Sequence, residues 1–310
     1  MKRSIIVLIF TVAVIFVSCL YNIEECFAAP VTMPDGTIFD AQFYRISNPD
    51  VVAIYGNEDA DMYRHYQEYG KKEGRKAYPT NDSVKKEISI KIFNRIGVVG
   101  DSFASGTVRD GETLVDNYAI SWPQVMGRRY GVTCTNYSRG GLTTKSWLYF
   151  PEGSSKMWSS TPDDLYILAL GLNDANGLFL PGGDEYLGNI RDITRYNNKS
   201  KYPDTFYGNY GKIIEQIKEH APSAKIIMVN LIVPTMASDK FNEAIYEIAR
   251  YYGVPCIDQH ADSYFSSDKY LNMDMGHPTK DGYSGMADAF ARLIAKCVSD
   301  NKYYFYPYVQ

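Results

Sequence analysis

The sequence predicts an α/β fold in which a parallel sheet is covered by helices on both faces. Three observations carry this. Short apolar runs alternate with helical patterns from Ile88 onward. The runs are apolar throughout, as expected of strands buried on both faces. Three unusual stretches rich in glycine and in hydroxyl or amide side chains follow three of these runs, which places them along one edge of the sheet.

The elements follow in order. "RIGVVG" (Arg95 to Gly100) is a short buried strand. "SWPQVMGRRYG" (Ser121 to Gly131) starts a helix with proline in its first turn and stops it at glycine. "VTCTNYS" (Val132 to Ser138) is β-branched and reads as a strand, and "DLYILALG" (Asp164 to Gly171) as another. "YGKIIEQIKEHAP" (Tyr210 to Pro222) is an amphipathic helix, followed by the buried strand "KIIMVNLIV" (Lys225 to Val233). "DKFNEAIYEIARYYG" (Asp239 to Gly253) is a helix with stop and start signals, "VPCID" (Val254 to Asp258) a last short strand, and "KDGYSGMADAFARLIAKCV" (Lys280 to Val298) the closing helix. The main domain thus spans residues 88–300.

The stretches at the strand ends are "GDSFASG" (Gly100 to Gly106), "NYSRGGLTT" (Asn136 to Thr144) and "GLNDANG" (Gly171 to Gly177); a fourth, "DMGHPTKDGY" (Asp274 to Tyr283), leads into the last helix. A serine hydroxyl is a weak nucleophile until a base takes its proton. Ser102 is the candidate nucleophile and His277 the candidate base. Asp274, three residues before His277, is placed to orient the imidazole and stabilise its cation. A tetrahedral oxyanion needs preorganised donors. Gly141 offers a backbone N–H, Asn173 a side-chain amide, and Ser102 its own N–H. Asp101 shapes the turn, and Asp174 braces its loop. Arg139 either contacts an anionic substrate or is solvated, and Trp147 and Trp158 either stack on a sugar ring or pack in the core. His65, His220 and His260 read as structural.

Taken singly these motifs are weak. Four in order, each at a strand end or a helix start, resemble the SGNH (GDSL-type) hydrolase family, whose Ser, Gly, Asn and His fall on Ser102, Gly141, Asn173 and His277. The resemblance covers roughly residues 93 to 298. It implies a flavodoxin-like three-layer α/β/α fold and ester hydrolysis through an acyl-enzyme, with no cofactor and no metal. "SRGG" leaves two glycines for one role. Gly141 is favoured over Gly140 because Asn136 and Thr143 then take their usual places around it.

Other chemistries fit less well. G-x-S-x-G, G-x-G-x-x-G, a Walker lysine and H-E-x-x-H are all missing from the 310 residues. Net charge is −4 without a basic run, so nucleic acid is not an expected partner. Five cysteines occur without a C-x-x-C, which argues against a zinc site; Cys134, Cys256 and Cys297 allow at most one disulfide.

Residues 1–29 read as a secretory signal peptide. Lys2 and Arg3 precede an apolar stretch, Ile5 to Val17, and small residues follow at "CFAAP" (Cys26 to Pro30). An uncleaved anchor, or a lipoprotein signal at Cys19, is the alternative. Residues 31–80 form a small tyrosine-rich helical appendage, with Asp40 as a cap, "NPD" (Asn48 to Asp50) as a break and Gly70 as a stop. "TNDSVKKE" (Thr80 to Glu87) is a linker. The appendage resembles short "FDA-x-x-Y … NPDV … HY … G-x-x-EGR" units of exported bacterial proteins. It is expected either to pack on a larger body or to bind cell wall or glycan.

The functional expectation is an exported, secreted or surface-associated serine esterase. The resemblance makes acetyl or other short acyl groups on carbohydrate the leading substrate, with an acylated glycan or small acyl ester as partner. A lipolytic esterase or lysophospholipase, and a non-catalytic surface glycan-binding protein, stay open. The aromatic and polar stretch from Ala175 to Asn209 is expected to roof the pocket.

Overall fold

A computed structural model describes residues 31–56, 58–78, 88–177, 184–232 and 238–309. The signal peptide, the linker and residues 178–183 of the expected roof lie outside the described residues. The chain divides into two compact units, Met1–Glu87 and Ile88–Gln310.

The smaller unit has a hairpin, β1 (Val31–Thr32) and β2 (Ile38–Phe39), and three short helices: α1 (Ala41–Ser47), α2 (Pro49–Tyr55) and α3 (Asp59–His65). Asp40 caps α1 by accepting from the Phe43 N–H at 2.8 Å. The chain breaks at Asn48, and Pro49 opens α2. Phe39, Tyr44, Val51, Met62 and Ala77 form a small core. α3 runs into a π turn, Tyr66–Gly70, so the helical run ends at Gly70, and a left-handed glycine follows at Gly74.

The larger unit is built on five parallel strands: β3 (Arg95–Gly100), β6 (Thr133–Asn136), β7 (Leu165–Ala169), β8 (Lys225–Val229) and β9 (Cys256–Ile257), in the order β6-β3-β7-β8-β9. Side chains alternate across it. Ile96, Val98, Leu165, Ile167, Ile227 and Val229 face one hydrophobic layer, and Val99, Tyr166, Leu168, Ile226 and Met228 the other. The first layer is closed by α5 (Trp122–Tyr130) and α10 (Lys280–Asp300), where Trp122 stacks on Phe290 with ring centroids 4.0 Å apart. The second is closed by α8 (Phe206–His220) and α9 (Ser238–Tyr252), through Phe206, Tyr210, Ile214 and Ile245. The result is a three-layer α/β/α sandwich.

Two features extend what the sequence pattern indicated. A hairpin, β4 (Thr107–Asp110) and β5 (Thr113–Asp116), is inserted directly after the first strand-end motif. The domain also runs past residue 300: Phe305 is fully buried in the first layer, and the Tyr304 hydroxyl bonds both the N–H and the carbonyl of Ile226. Cys134, Cys256 and Cys297 are free thiols, each pushed up to about 12 by burial.

The chain leaves β3 to one side for β6 and returns to its other side for β7. Clefts form beyond the carboxyl ends of strands at such a reversal. Ser102 follows β3 and Asn173 follows β7, so the topology puts both at this point.

Candidate active site

Ser102 opens α4 (Ser102–Ser105), a single turn folded back over the end of β3. Gly100 permits this, since a Cβ there would lie 2.6 Å from the Ala104 Cβ. Asp101 caps the turn by accepting from the Phe103 N–H at 3.0 Å. Burial pushes the Asp101 carboxyl up to about 7; the nearby Asp174 and Asp116 carboxylates act in the same direction. The Ser102 carbonyl accepts from the Tyr283 hydroxyl at 3.2 Å, and that hydroxyl also reaches the Thr107 carbonyl at 2.8 Å. This links the Ser102 turn to α10.

The second motif forms a turn in which the Leu142 N–H donates to the Arg139 carbonyl at 3.3 Å. Gly141 holds φ +80, a left-handed conformation natural to glycine in this position. Gly140 donates its N–H to the Asp116 carboxylate, 3.1 Å to Oδ1 and 3.0 Å to Oδ2. Of the two glycines, Gly140 is therefore committed, and Gly141 keeps a backbone N–H without a partner among the described residues. Asn136 fastens the loop to the nucleophile turn, donating to the Ala104 carbonyl at 2.7 Å and accepting from the Ser138 N–H at 3.1 Å. Thr143 caps α6 (Thr144–Trp147) in a reciprocal capping box with Ser146.

Asn173 lies on α7 (Leu172–Asn176) and is buried. One of its amide hydrogens goes to the Leu142 carbonyl at 2.9 Å. An amide has two donors, so this bond orients the second. Asp174, fully buried, accepts from the Thr144 N–H at 3.0 Å, the Thr144 hydroxyl at 2.7 Å and the Tyr186 hydroxyl at 2.7 Å. It ties the third motif to the second; burial raises its pKa, and the bonds from Thr144 and Tyr186 oppose that rise.

His277 comes from a hairpin, β10 (Met273–Asp274) and β11 (His277–Pro278), joined by Met275 and Gly276 at φ 48 and 76. Two consecutive positive φ values mark the tight turn whose twist suits a hairpin. The imidazole lies against Phe103, with ring centroids 5.7 Å apart, which brings it to the nucleophile turn. Here the structure departs from the sequence expectation. The hairpin register sets Asp274 directly opposite His277, yet His277 Nδ1 bonds the Met275 carbonyl at 3.0 Å. Asp274 instead faces Arg109 of β4, with 3.6 Å between Oδ1 and Nη1. The physical reason is local. The turn carries the Met275 carbonyl to the ring nitrogen, and the half-exposed carboxylate finds a cation across the neighbouring hairpin. Nor does any hydrogen bond join Ser102 Oγ to His277 among the described residues; such contacts are often long before substrate binds.

The structure thus brings Ser102, Gly141, Asn173 and His277 to one end of the sheet, while Asp274 is near but paired elsewhere. Trp147 is core: it is fully buried, and its indole N–H donates to the Tyr137 carbonyl at 2.8 Å. Trp158 is half-exposed and meets His220 edge-on. Tyr149 and Phe150, after the second motif, are exposed as well, and Arg139 lies 4.6 Å from the Phe150 ring. Sequence reasoning missed Asp116. The Asp110-Gly111 pair between two β-branched runs is a hairpin signal that locates its strand, though not its role. It also missed the Met275 carbonyl, which no side-chain pattern reveals. Among the described residues no group of three or more His, Cys, Asp or Glu is arranged to hold a metal ion.

Residues 98–284 match the profile of the GDSL-like Lipase/Acylhydrolase family. No curated protein matches the chain. A psychrotrophic esterase from Pseudoalteromonas sp. is similar at 13% identity and a TM-score of 0.47, over 66% of this chain and 97% of that one. A carbohydrate esterase family 2 enzyme with its carbohydrate binding domain, from Corynascus thermopiles, is similar at 18% identity and a TM-score of 0.47, over 66% of each chain. A family two carbohydrate esterase from Clostridium thermocellum, solved with cellohexaose, is similar at 13% identity and a TM-score of 0.44, over 68% of this chain and 65% of that one. The chain belongs to the GDSL-like Lipase/Acylhydrolase family and is a carboxylic ester hydrolase.

Proposed function

We propose that this hydrolase is an exported serine esterase that removes acetyl or other short acyl groups from carbohydrate. The observation that carries the mechanism is the set of uncommitted donors at the sheet edge: the Ser102 N–H, the Gly141 N–H and the second amide hydrogen of Asn173, set among neighbours whose own donors are taken. Ser102 Oγ attacks the ester carbonyl while His277 takes its proton. The negative charge that develops on the carbonyl oxygen meets those three donors. The alcohol leaves with the proton from His277, and the acyl group stays on Ser102. Water then attacks the acyl-enzyme with His277 as base, and the acid is released. The Met275 carbonyl holds the Nδ1 hydrogen, so that Nε2 is the basic nitrogen.

Two features support a short acyl group on a glycan over a long acyl chain. A cavity of about 50 Å³ is lined in part by Asp101, Phe103 and Leu172, the neighbours of Ser102 and Asn173 in the chain, and has room for a short acyl group only. Tyr149 and Phe150 offer exposed rings after the second motif, of the kind that stack on sugars. Export rests on the basic and apolar pattern of the first residues.

The test is turnover of nitrophenyl esters of increasing chain length and of acetylated polysaccharide by the wild type and by Ser102→Ala. Activity is expected to be highest on acetyl esters and to fall by several orders of magnitude in the variant. Near-normal turnover in a folded Ser102→Ala protein would overturn the mechanism, and a preference for long chains would overturn the substrate.

A further inference from the structure

The inserted hairpin β4–β5 has no place in the mechanism above, yet its last residue holds the Ser102 turn, the start of β4 and the loop of the second motif together. The Asp116 Oδ1 accepts from the Ser105 hydroxyl at 2.6 Å and from the Thr107 hydroxyl at 2.6 Å. Both hydroxyls are buried, and they lie 3.1 Å from each other. Ser105 ends the nucleophile turn, and Thr107 starts β4. The same carboxylate receives the Gly140 N–H on both oxygens. The approach is close: a Cβ on Gly140 would stand 2.9 Å from Asp116 Oδ1.

We propose that Asp116 is a positioning residue for ester hydrolysis, fixing the loop that presents the Gly141 N–H against the turn that presents Ser102. This rests on the catalytic reading above and deepens it. A donor stabilises an oxyanion only if it is held where the charge develops and need not reorganise. Gly141 has no side chain to anchor it, and its φ of +80 belongs to a backbone with much conformational freedom. Its neighbour must therefore supply the restraint. A carboxylate is suited to this, since its two oxygens accept several bonds at once and charge-assisted bonds are the stronger kind. It also leaves Gly141 as the donor, because it occupies the N–H of Gly140.

The test compares Asp116→Ala and Asp116→Asn with the wild type in the full chain. Active serines are first titrated with a fluorophosphonate, so that kcat is expressed per reactive Ser102, and KM and melting temperature are measured alongside. Positioning of an oxyanion donor predicts that kcat per titrated site falls about tenfold or more in the alanine variant with KM within about twofold, and less in the near-isosteric asparagine variant. A merely structural role would lower the melting temperature or the titrated fraction and leave kcat per site unchanged in both variants, and that result overturns the proposal. If Ser102→Ala keeps its turnover and the wild type does not react with the fluorophosphonate, the catalytic reading itself falls and takes the role of Asp116 with it.

Discussion

On the nucleophile side of the site, Ser102, Asn173 and Asp174 are buried, and the backbone around them is tied by Asp101, Asp116, Asn136 and Tyr283. On the histidine side, a two-residue turn carries His277 between Met275 and Pro278, Asp274 is half-exposed, and the imidazole is placed by one carbonyl and one aromatic face. The contrast matches the demands of the chemistry. An oxyanion hole works by not moving, since its contribution is the reorganisation it avoids. A general base must take a proton from one oxygen and deliver it to another, which a ring held at only one nitrogen can do.

If the comparison is right, lesions on the two sides should differ in kind as well as in size. The largest effect is expected at the rigid side. Asn173→Ala removes an amide already aimed by its bond to Leu142, and kcat should fall about 10²–10³-fold with little change in KM. Steady-state kinetics on an acetyl ester checks this. A raised KM with unchanged kcat would make Asn173 a substrate-binding residue and would erase the distinction.

A smaller effect is expected across the hairpin. With Nδ1 held by the Met275 carbonyl, Asp274→Ala removes a nearby charge but leaves the tautomer in place. Its kcat/KM should fall about tenfold or less, where loss of a tautomer-setting aspartate costs about 10⁴. A loss approaching that of Ser102→Ala would show that Asp274 turns from Arg109 to His277 in the working enzyme. Arg109→Ala sharpens the question. The exposed ion pair contributes little to stability, so freeing the carboxylate should leave the melting temperature unchanged whichever way it turns.

The same contrast explains how much was legible in the sequence. The sheet was legible because strands buried on both faces are continuous apolar runs, as in Arg95–Gly100 and Leu165–Ala169. The placement of Ser102, Gly141 and Asn173 followed, because a parallel sheet sends every strand end to the same edge. The histidine was legible as a residue but not in its bonding. Asp-x-x-His fixes which side chains lie across a short turn, whereas the Nδ1 partner was decided by a backbone carbonyl that any residue at 275 would carry. The strand of Asp116 was legible from Asp110-Gly111, but its partner was not. Gly140 lies 24 positions further along the chain, and only the folded hairpin brings the two together. Trp147 was legible as one of two readings, and the fold decides for the core: the side chain is fully buried and its N–H is satisfied from within.

The last expected effect concerns stability, and it falls on the buried side. Asp101 is buried beneath the nucleophile turn with its carboxyl raised to about 7, far above the value near 4 of an unfolded aspartate. A group whose pKa is raised on folding binds its proton more tightly in the native state. Its contribution is therefore fully present below about pH 4 and is lost as pH rises towards 7, after which no more is lost. Asparagine keeps an oxygen to cap Phe103 but has no charge to bury. The melting temperature of Asp101→Asn relative to wild type should accordingly climb between about pH 4 and 7 and then level off. Thermal melts of the variant and the wild type from pH 4 to 8 decide it. A constant offset for Asp101→Asn across that range would mean that its carboxylate is ionised throughout, and the nucleophile turn would then rest on a buried charge.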